Sequence, residues 1–374
     1  MERYKAIGLM SGSSLDGLDI AYCNFTFNNG KWEFGILKTD VIAYPDEWIQ
    51  EIKRLPVASA KTIWESHAAL GNYFGEQVNA FIKSNGLTGK VDLVSSHGHT
   101  IFHFPEKRFT TQIGDGSAIA ARTNLPVICD FRSADIADGG QGTPIVPIGD
   151  FLLFTGHRFC LNIGGIANIS CKITSPRPSP KEREEYSIVA FDICAANQVM
   201  NSLSVRLGKE FDEAGKFAAS GKVENKLLEN LNALEFYHQS YPKSLDNSYS
   251  REVILPLLEE FDISNEDKLR TYTEHIAVQI AYHIKMIAEK ENLNLGNDEK
   301  MLVTGGGAFN SFLVERIKAL TNIETEVPST ELVKFKEALV IALMGVLRMR
   351  NEVNVLKSVT GASKDSIGGA VYRP

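Results

Sequence analysis

Asp192 stands after the apolar run Ser187–Phe191 and just before a helical pattern over Asn197–Leu207. A carboxylate at a strand end is held rigidly and makes a good general base. It also makes a good N-cap for the helix that follows. Its company favours the base. Gly12-Ser13-Ser14-Leu15-Asp16-Gly17-Leu18-Asp19 lies between two strand-like runs. A turn so rich in Gly and Ser directs backbone N–H groups and hydroxyls at one point, which suits a polyphosphate. As an alternative it is a plain β-hairpin. Asp16 is the natural group there to reach Mg2+, because that ion favours oxygen ligands and keeps several waters. The chain has no G-x-x-x-x-G-K-[ST], so this is not a P-loop.

Two more glycine-rich turns accompany the first. Asn162-Ile163-Gly164-Gly165-Ile166-Ala167-Asn168 again separates two strands. Two such hairpins at matching places are what a nucleotide clamped between two lobes requires. Gly305-Gly306-Gly307-Ala308-Phe309-Asn310 follows a strand and precedes a helix. Its glycines permit positive φ and close backbone approach, so it can lie along a base and ribose, or it is only a helix-start turn.

Arg132, in Asp130-Phe131-Arg132-Ser133-Ala134-Asp135, can grip a carboxylate or polar sugar groups with its fork, or belong to a connecting loop with salt bridges. His99 and His103 are four apart, a metal spacing on a helix. Gly98 and the β-leaning Thr100-Ile101-Phe102 argue for hydrogen-bonding histidines in a loop beside a substrate.

The elements that position these groups follow from hydrophobic period and turn residues. Tyr4–Met10, Leu18–Phe25 and Trp32–Lys38 are expected strands, with Asn28-Asn29-Gly30 as a hairpin turn. Helical spacing of Leu70, Phe74, Val78, Phe81 and Ile82 predicts a helix over 63–83, followed by a strand at Val91–Ser95. Ser117–Arg122 is expected to be helical, and Val127–Asp130 a buried strand. Then the pattern repeats: strands at Phe159–Ile163, Ile166–Ile173 and Ser187–Asp192, helices over Asn197–Leu207 and Thr271–Ala288, a strand at Leu302–Thr304, and an apolar helix over Glu337–Met349. Strand–turn–strand–strand and then helices, twice over, predicts a duplicated α/β architecture. The proline-rich, charged stretch 175–185 is expected to be a solvated loop, with a functional lid as the alternative.

Composition sets the outer limits. With 374 residues the chain is long enough for about two domains. It is 44% hydrophobic and 23% charged, as soluble globular proteins are. A net charge of −7 offers nothing to nucleic acid or an anionic membrane surface, and no apolar run approaches the ~20 residues of a spanning helix. The N-terminus lacks secretory-signal character. Five scattered cysteines without C-x-x-C suit a reducing cytosol. A cytoplasmic location is therefore expected.

Taken together, several stretches resemble the anhydro-N-acetylmuramic acid kinase family. They are Ile7–Asp19, Ser96-His97-Gly98, Gln112-Ile113-Gly114-Asp115, Asp130-Phe131-Arg132, Gly139-Gly140-Gln141-Gly142, Asn162–Asn168, Phe191-Asp192 and Gly305–Ala308, in order over nearly the whole chain. The resemblance implies the two-lobed actin-like ATPase fold, with duplicated RNase-H-like domains and a central cleft. One lobe would span 1–130, with about 350–374 returning to it, and the other 131–349. It also implies a reaction: ATP phosphorylates O6 of 1,6-anhydro-N-acetylmuramic acid while water opens the anhydro bridge. The cofactors implied are ATP and Mg2+, the latter on Asp16. Asp192 would be the base. ATP would be held by residues Gly12, Ser13, Ser14, Leu15, Asp16, Gly17, Leu18, Asp19, Asn162, Gly164, Gly165, Gly305, Gly306 and Gly307. His97, Arg132, Asn168 and Glu337 would lie by the sugar. Partners would be the sugar and ATP, with a homodimer the expectation for such a kinase. Three departures lie on the sugar side. Ile193-Cys194-Ala195-Ala196-Asn197 replaces the family's usual Thr-Gly-Pro-Gly-Asn, His99 stands where Gln is common, and Leu245-Asp246-Asn247-Ser248-Tyr249 lengthens the stretch between Pro242-Lys243-Ser244 and Arg251-Glu252. A related kinase for another amino or anhydro sugar is thus the second reading. A nucleotide-gated chaperone or filament protein on the same fold is the third.

Overall fold

The computed structural model describes residues 1–12, 15, 17–173, 188–296 and 298–374. It divides into two units: Met1–Phe154 with Phe335–Pro374, and Thr155–Lys334. The stretch from Phe131 to Phe154 and the helix residues from Phe335 onward thus group with the first unit, where the sequence suggested divisions at 130 and about 350.

Among the described residues the strands are β1 (Glu2–Ser11), β2 (Leu18–Asn28), β3 (Lys31–Ile42), β4 (Leu93–Ser96), β5 (His99–Phe104), β6 (Phe109–Ile113), β7 (Val127–Cys129), β8 (Phe159–Ile163), β9 (Ile166–Lys172), β10 (Ile188–Ala195), β11 (Lys300–Thr304), β12 (Glu324–Glu326) and β13 (Ala370–Tyr372).

The first unit is built on a sheet of order β13-β7-β4-β1-β2-β3. β1, β2 and β3 form the antiparallel meander that the sequence predicts. Its second turn is Asn29 at φ 51 and Gly30 at φ 80. Two left-handed central residues make the hairpin turn whose twist matches the strands. β4 lies parallel to β1, and β7 parallel to β4. Ala6, Ile7 and Leu9 are all fully buried in β1, because both faces of this strand are covered. The helix Ala60–Ser84 is capped by Ser59 Oγ, which accepts from Thr62 N at 3.2 Å, and buries Leu70, Phe74, Val78 and Phe81. The helix Thr330–Met349 also packs on β1. A Cβ on Gly8 would lie 1.9 Å from the Ala338 carbonyl oxygen. Any side chain there would push the helix off the sheet.

The second unit repeats the design. Its sheet runs β10-β9-β8-β11-β12, with β8, β9 and β10 antiparallel and β8, β11 and β12 parallel. This is the order and sense of β3-β2-β1-β4-β7. The fold class is therefore α/β with a duplicated RNase-H-like sheet, as in actin-like ATPases. The helix Asn265–Lys290 buries the expected stripe Ile276, Ile280, Ile284 and Ile287.

Two expectations need correction. The stretch around His99 is not a loop: β5 and β6 pair as a separate antiparallel hairpin, closed by a short helical turn at Pro105–Lys107. The β-branched and aromatic residues of Thr100-Ile101-Phe102 and Phe109-Thr110-Thr111 suit paired strands. The strand carrying Asp192 also runs on to Ala195, since Ile193 and Cys194 suit a buried strand better than a glycine turn would. The proline-rich stretch 175–185 lies outside the described residues. No helix among the described residues is long and apolar enough to cross a membrane. All five cysteines are free.

Candidate functional site

In the second unit the expected residues come together on one sheet. Thr304 of β11 pairs with Asn162 of β8, Asn162 with Asn168 of β9, and Asn168 with Asp192 of β10. Residues opposite each other on neighbouring strands share a face. The four side chains therefore form a polar row across the sheet. A bulge between Asp192 and Cys194 disturbs the pairing at the end of the row, and bulges re-aim side chains. Asp192 is not a helix cap; the N-cap of Asn197–Arg206 is Ala196.

Asp192 is half-buried and fixed on both sides. Its N–H donates to the Lys243 carbonyl at 3.2 Å, and its Oδ2 accepts from Leu245 N at 2.9 Å. Burial raises its pKa above the ordinary aspartate value, and the Leu245 bond opposes that rise. The result is a carboxylate more basic than a free one, held in one direction.

Both glycine turns of this unit adjoin the row. A Cβ on Gly305, at φ 78, would lie 2.7 Å from Asn162 Oδ1; one on Gly307 would lie 2.2 Å from Ile163 Cγ2. Only glycine lets the two turns nest. Asn197 ties them to its helix: its N–H donates to Gly164 O and its Nδ2 to Ile163 O, both at 3.1 Å. Gly306 lies beside it, a Cβ there being 3.5 Å from Asn197 Nδ2. Asn162, Gly164, Gly165, Asn168, Asp192 and Gly305–Gly307 thus form one surface of turns and strand ends. Its backbone can follow a nucleotide closely. None of residues 193–197 has positive φ, as the loss of the family's glycines there implies.

In the first unit, Gly12, Leu15 and Gly17 belong to the turn from β1 into β2, where Leu18 and Asp19 begin the return strand. Leu15 takes φ 58 and donates its N–H to Gly12 O at 3.2 Å. Ser13, Ser14 and Asp16 lie outside the described residues. Ser11, just before the turn, lies 2.8 Å from His99 Nδ1 and accepts from the Tyr44 hydroxyl at 2.7 Å.

The expected sugar residues of this unit are also neighbours. His97 Nδ1 lies 3.0 Å from the Gly98 carbonyl. A carbonyl only accepts, so Nδ1 carries the proton and Nε2 is left as an acceptor. That Nε2 is buried and has no hydrogen-bond partner among the described residues, and neither has the buried Nε of Arg132. Burial, with the Arg132 charge adding to it, lowers the His97 pKa to about 3. His97 is therefore neutral. Burial lowers Arg132 to about 10, so it stays charged. Glu337 is raised by burial and lowered by Lys336 and Arg132. Buried polar groups seldom go unpaired. An orphan donor and an orphan acceptor on residues that feel each other's charge are what a hydroxyl could satisfy, because it accepts and donates at once.

His99 and His103 lie on the strand β5, not on the helix that their metal spacing would need; His99 Nδ1 is 2.8 Å from Ser11 Oγ, and His103 Nδ1 is 3.2 Å from Thr110 Oγ1. Sequence reasoning missed Tyr44, Asn197, Lys243 and Leu245. Asn197 was visible as the last residue of the altered segment. Leu245 was visible as the start of the stretch that lengthens the chain after Pro242-Lys243-Ser244, but its tie to Asp192 was not, since the two lie 53 residues apart.

A family model described as anhydro-N-acetylmuramic acid kinase matches residues 4–374. An anhydro-N-acetylmuramic acid kinase of Mannheimia succiniciproducens is 33% identical over 98% of both chains. One of Photobacterium profundum is 33% identical over 100% of this chain and 99% of its own, and one of Clostridioides difficile 31% over 98% and 97%. Solved structures align more loosely. A hexokinase from Schistosoma mansoni complexed with glucose covers 91% of this chain and 85% of its own, at 12% identity and a TM-score of 0.37, a likeness that decides nothing.

Proposed function

The chain belongs to the anhydro-N-acetylmuramic acid kinase family, and from that premise we propose that it converts 1,6-anhydro-N-acetylmuramic acid, ATP and water to N-acetylmuramic acid 6-phosphate and ADP. This would return recovered cell-wall sugar to metabolism in the cytoplasm. A homodimer belongs to the same reading, and sedimentation tests it.

One observation carries the proposal: Asp192, its pKa raised by burial, is clamped at the end of the Asn162–Asn168 row beside two nested glycine turns. In the proposed reaction Asp192 takes a proton from water. The water oxygen bonds to the anomeric carbon as the bond from that carbon to the bridging oxygen breaks. The electron pair stays on that oxygen, O6, which attacks the γ-phosphorus, and the bond from γ-phosphorus to ADP breaks. Asp192 must be ionised to act, and its raised pKa makes it the stronger base once it is. Arg132 Nε and His97 Nε2 would meet sugar oxygens, with Glu337 and Asn168 alongside. The turn from Gly12 to Asp19 and the glycines of the second unit would hold the phosphates, base and ribose.

Mg2+ would supply charge neutralisation on the phosphates. Asp16, its proposed ligand, offers hard oxygen.

Purified protein with Mg-ATP should release ADP only when the anhydro sugar is added, and the sugar product should carry the mass of both a phosphoryl group and water. ADP release indifferent to that sugar would overturn the proposal. The strand-like course of Ile193–Ala195, where the family usually has glycine, favours a second reading on another amino or anhydro sugar. Faster turnover on any other sugar of a panel would establish that one instead.

A further inference from the structure

Asp192 sits on β10, an edge strand, and the segment covering it there comes from 53 residues along the chain. The Lys243–Leu245 segment clasps it twice: the Lys243 carbonyl takes the Asp192 N–H, and the Leu245 N–H reaches the Asp192 carboxylate. What fixes the segment is the side chain of Lys243. Its Nζ donates to the Phe236 carbonyl at 2.8 Å, lies 4.4 Å from the centre of the Phe236 ring, and is 2.8 Å from His283 Nε2.

The direction of the last bond is determined by the chain itself. His283 Nδ1 lies 2.7 Å from the Gln279 carbonyl, which only accepts. Nδ1 therefore carries the ring proton, and Nε2 is a lone pair aimed at Lys243. His283 is fully buried in the helix Asn265–Lys290, and burial, reinforced by the Lys243 charge, lowers its pKa to about 4. It is a neutral acceptor throughout the working range. Burial lowers Lys243 to about 8. A lysine serving solubility would turn its head to water; this one spends all its identified contacts inside the unit. Cys194, on the same strand as Asp192, also faces it, its thiol pushed up by burial.

We propose that Lys243, locked onto His283, is a positioning residue that orients the Asp192 carboxylate through the Lys243–Leu245 segment. The inference rests on Asp192 being the general base. Lys243 touches no reacting atom, so it acts on the rate through geometry: a misplacement of about 1 Å costs on the order of 100-fold.

Lys243→Met should lower kcat about 10- to 100-fold, with KM for ATP and for the sugar within about twofold. The acidic limb of kcat should move to higher pH, because the Leu245 N–H that lowers the Asp192 pKa no longer holds its place. His283→Gln puts an amide oxygen where Nε2 was and should keep most of kcat, whereas His283→Leu should behave as Lys243→Met does. This pair decides the matter even if Lys243→Met fails to fold. In an Asp192→Asn background, Lys243→Met should cost less than about twofold more, since a residue acting through another adds nothing once that other is gone. A Lys243→Met enzyme with unchanged kcat and pH profile overturns the proposal. So does a loss that simply multiplies that of Asp192→Asn, or a His283→Gln enzyme as damaged as His283→Leu. If Asp192→Asn alone keeps full turnover, the fault lies in the assignment of the base, a separate result.

Discussion

Asp40 and Asp192 occupy the same place in two sheets of the same design. In the first unit the cross-sheet row reads Ser96, Leu9, Ile20, Asp40; in the second it reads Thr304, Asn162, Asn168, Asp192. Both rows end in an aspartate on an edge strand. The interiors differ: Leu9 and Ile20 are sealed apolar residues, whereas Asn162 and Asn168 are half-buried and polar. So do the surroundings of the aspartates. Asp40 is exposed, and its Oδ1 accepts from the N–H of its own neighbour Val41 at 2.9 Å. Asp192 is half-buried and held by residues 51 and 53 positions away (Lys243 and Leu245). The duplicated topology supplies the position in both units. Long-range cover and a polar row are found in only one, the one to which the proposed reaction assigns the base.

The largest expected consequence is at Asp192 itself. Asp192→Asn keeps the shape and the hydrogen bond geometry but removes the base. Loss of a general base costs about 10^2- to 10^4-fold, so kcat should fall by that much while nucleotide affinity holds. Near-normal turnover would remove the catalytic meaning of the difference between the rows. The same group sets a pH dependence. Burial raises the Asp192 pKa, and only the ionised form accepts the proton. Activity should therefore fall on acidification at a pH above the ordinary aspartate value of about 4, and a kcat profile with its acidic limb at or below that value would contradict the raised pKa.

Next in size is the other orphaned cluster. Arg132→Met removes a charged donor whose Nε has no partner among the described residues. A hydrogen bond to a charged group is worth about 1.5–3 kcal/mol, so kcat/KM for the sugar should drop about 10- to 150-fold, with KM for ATP little changed. Equal losses for both substrates would mean that Arg132 supports the unit as a whole.

The contrast between the rows also explains what could be read from the sequence. β1, β2, β3, β8 and β9 were legible because their apolar runs are broken by residues that readily take turn conformations, as at Asn29-Gly30 and Gly164-Gly165. The stripe on Asn265–Lys290 was legible from its period alone. The glycine turns were legible as residue types in strand-to-turn positions, and Asp192 as a carboxylate on a strand, though β10 runs on past it to Ala195. The cover on Asp192 was not. Lys243 meets His283 across 40 residues, and no local sequence pattern announces the contact. The β5–β6 hairpin escaped for a different reason: Gly98 and the close-set histidines suggested a turn, although Ile113 of β6 is sealed in the first unit's core and Ile101 of β5 packs against it.

A subtler change probes the row. Asn168→Leu gives the second unit the apolar interior that Ile20 gives the first. A neutral hydrogen bond contributes about 0.5–1.5 kcal/mol, so the loss should be about 2- to 10-fold in kcat/KM, with folding intact because an apolar side chain suits this strand. A loss as deep as that of Asp192→Asn would show that the row works as one unit with the base, and the separation drawn between them would be wrong.

The smallest expected effect is the most searching for the comparison itself. Asp40→Asn alters the residue at the equivalent place in the first unit. If position in the sheet were what mattered, this aspartate should contribute to the reaction as its counterpart does. If cover and polarity matter, it should not, since it is exposed and its Oδ1 accepts from the next residue's N–H. Kinetic constants within about twofold of wild type and a stability change within about 0.5 kcal/mol are expected, as for other surface substitutions. A loss of kcat beyond tenfold, with unfolding unchanged, would place chemistry on the first unit's edge strand, and the covered position would no longer be what sets Asp192 apart.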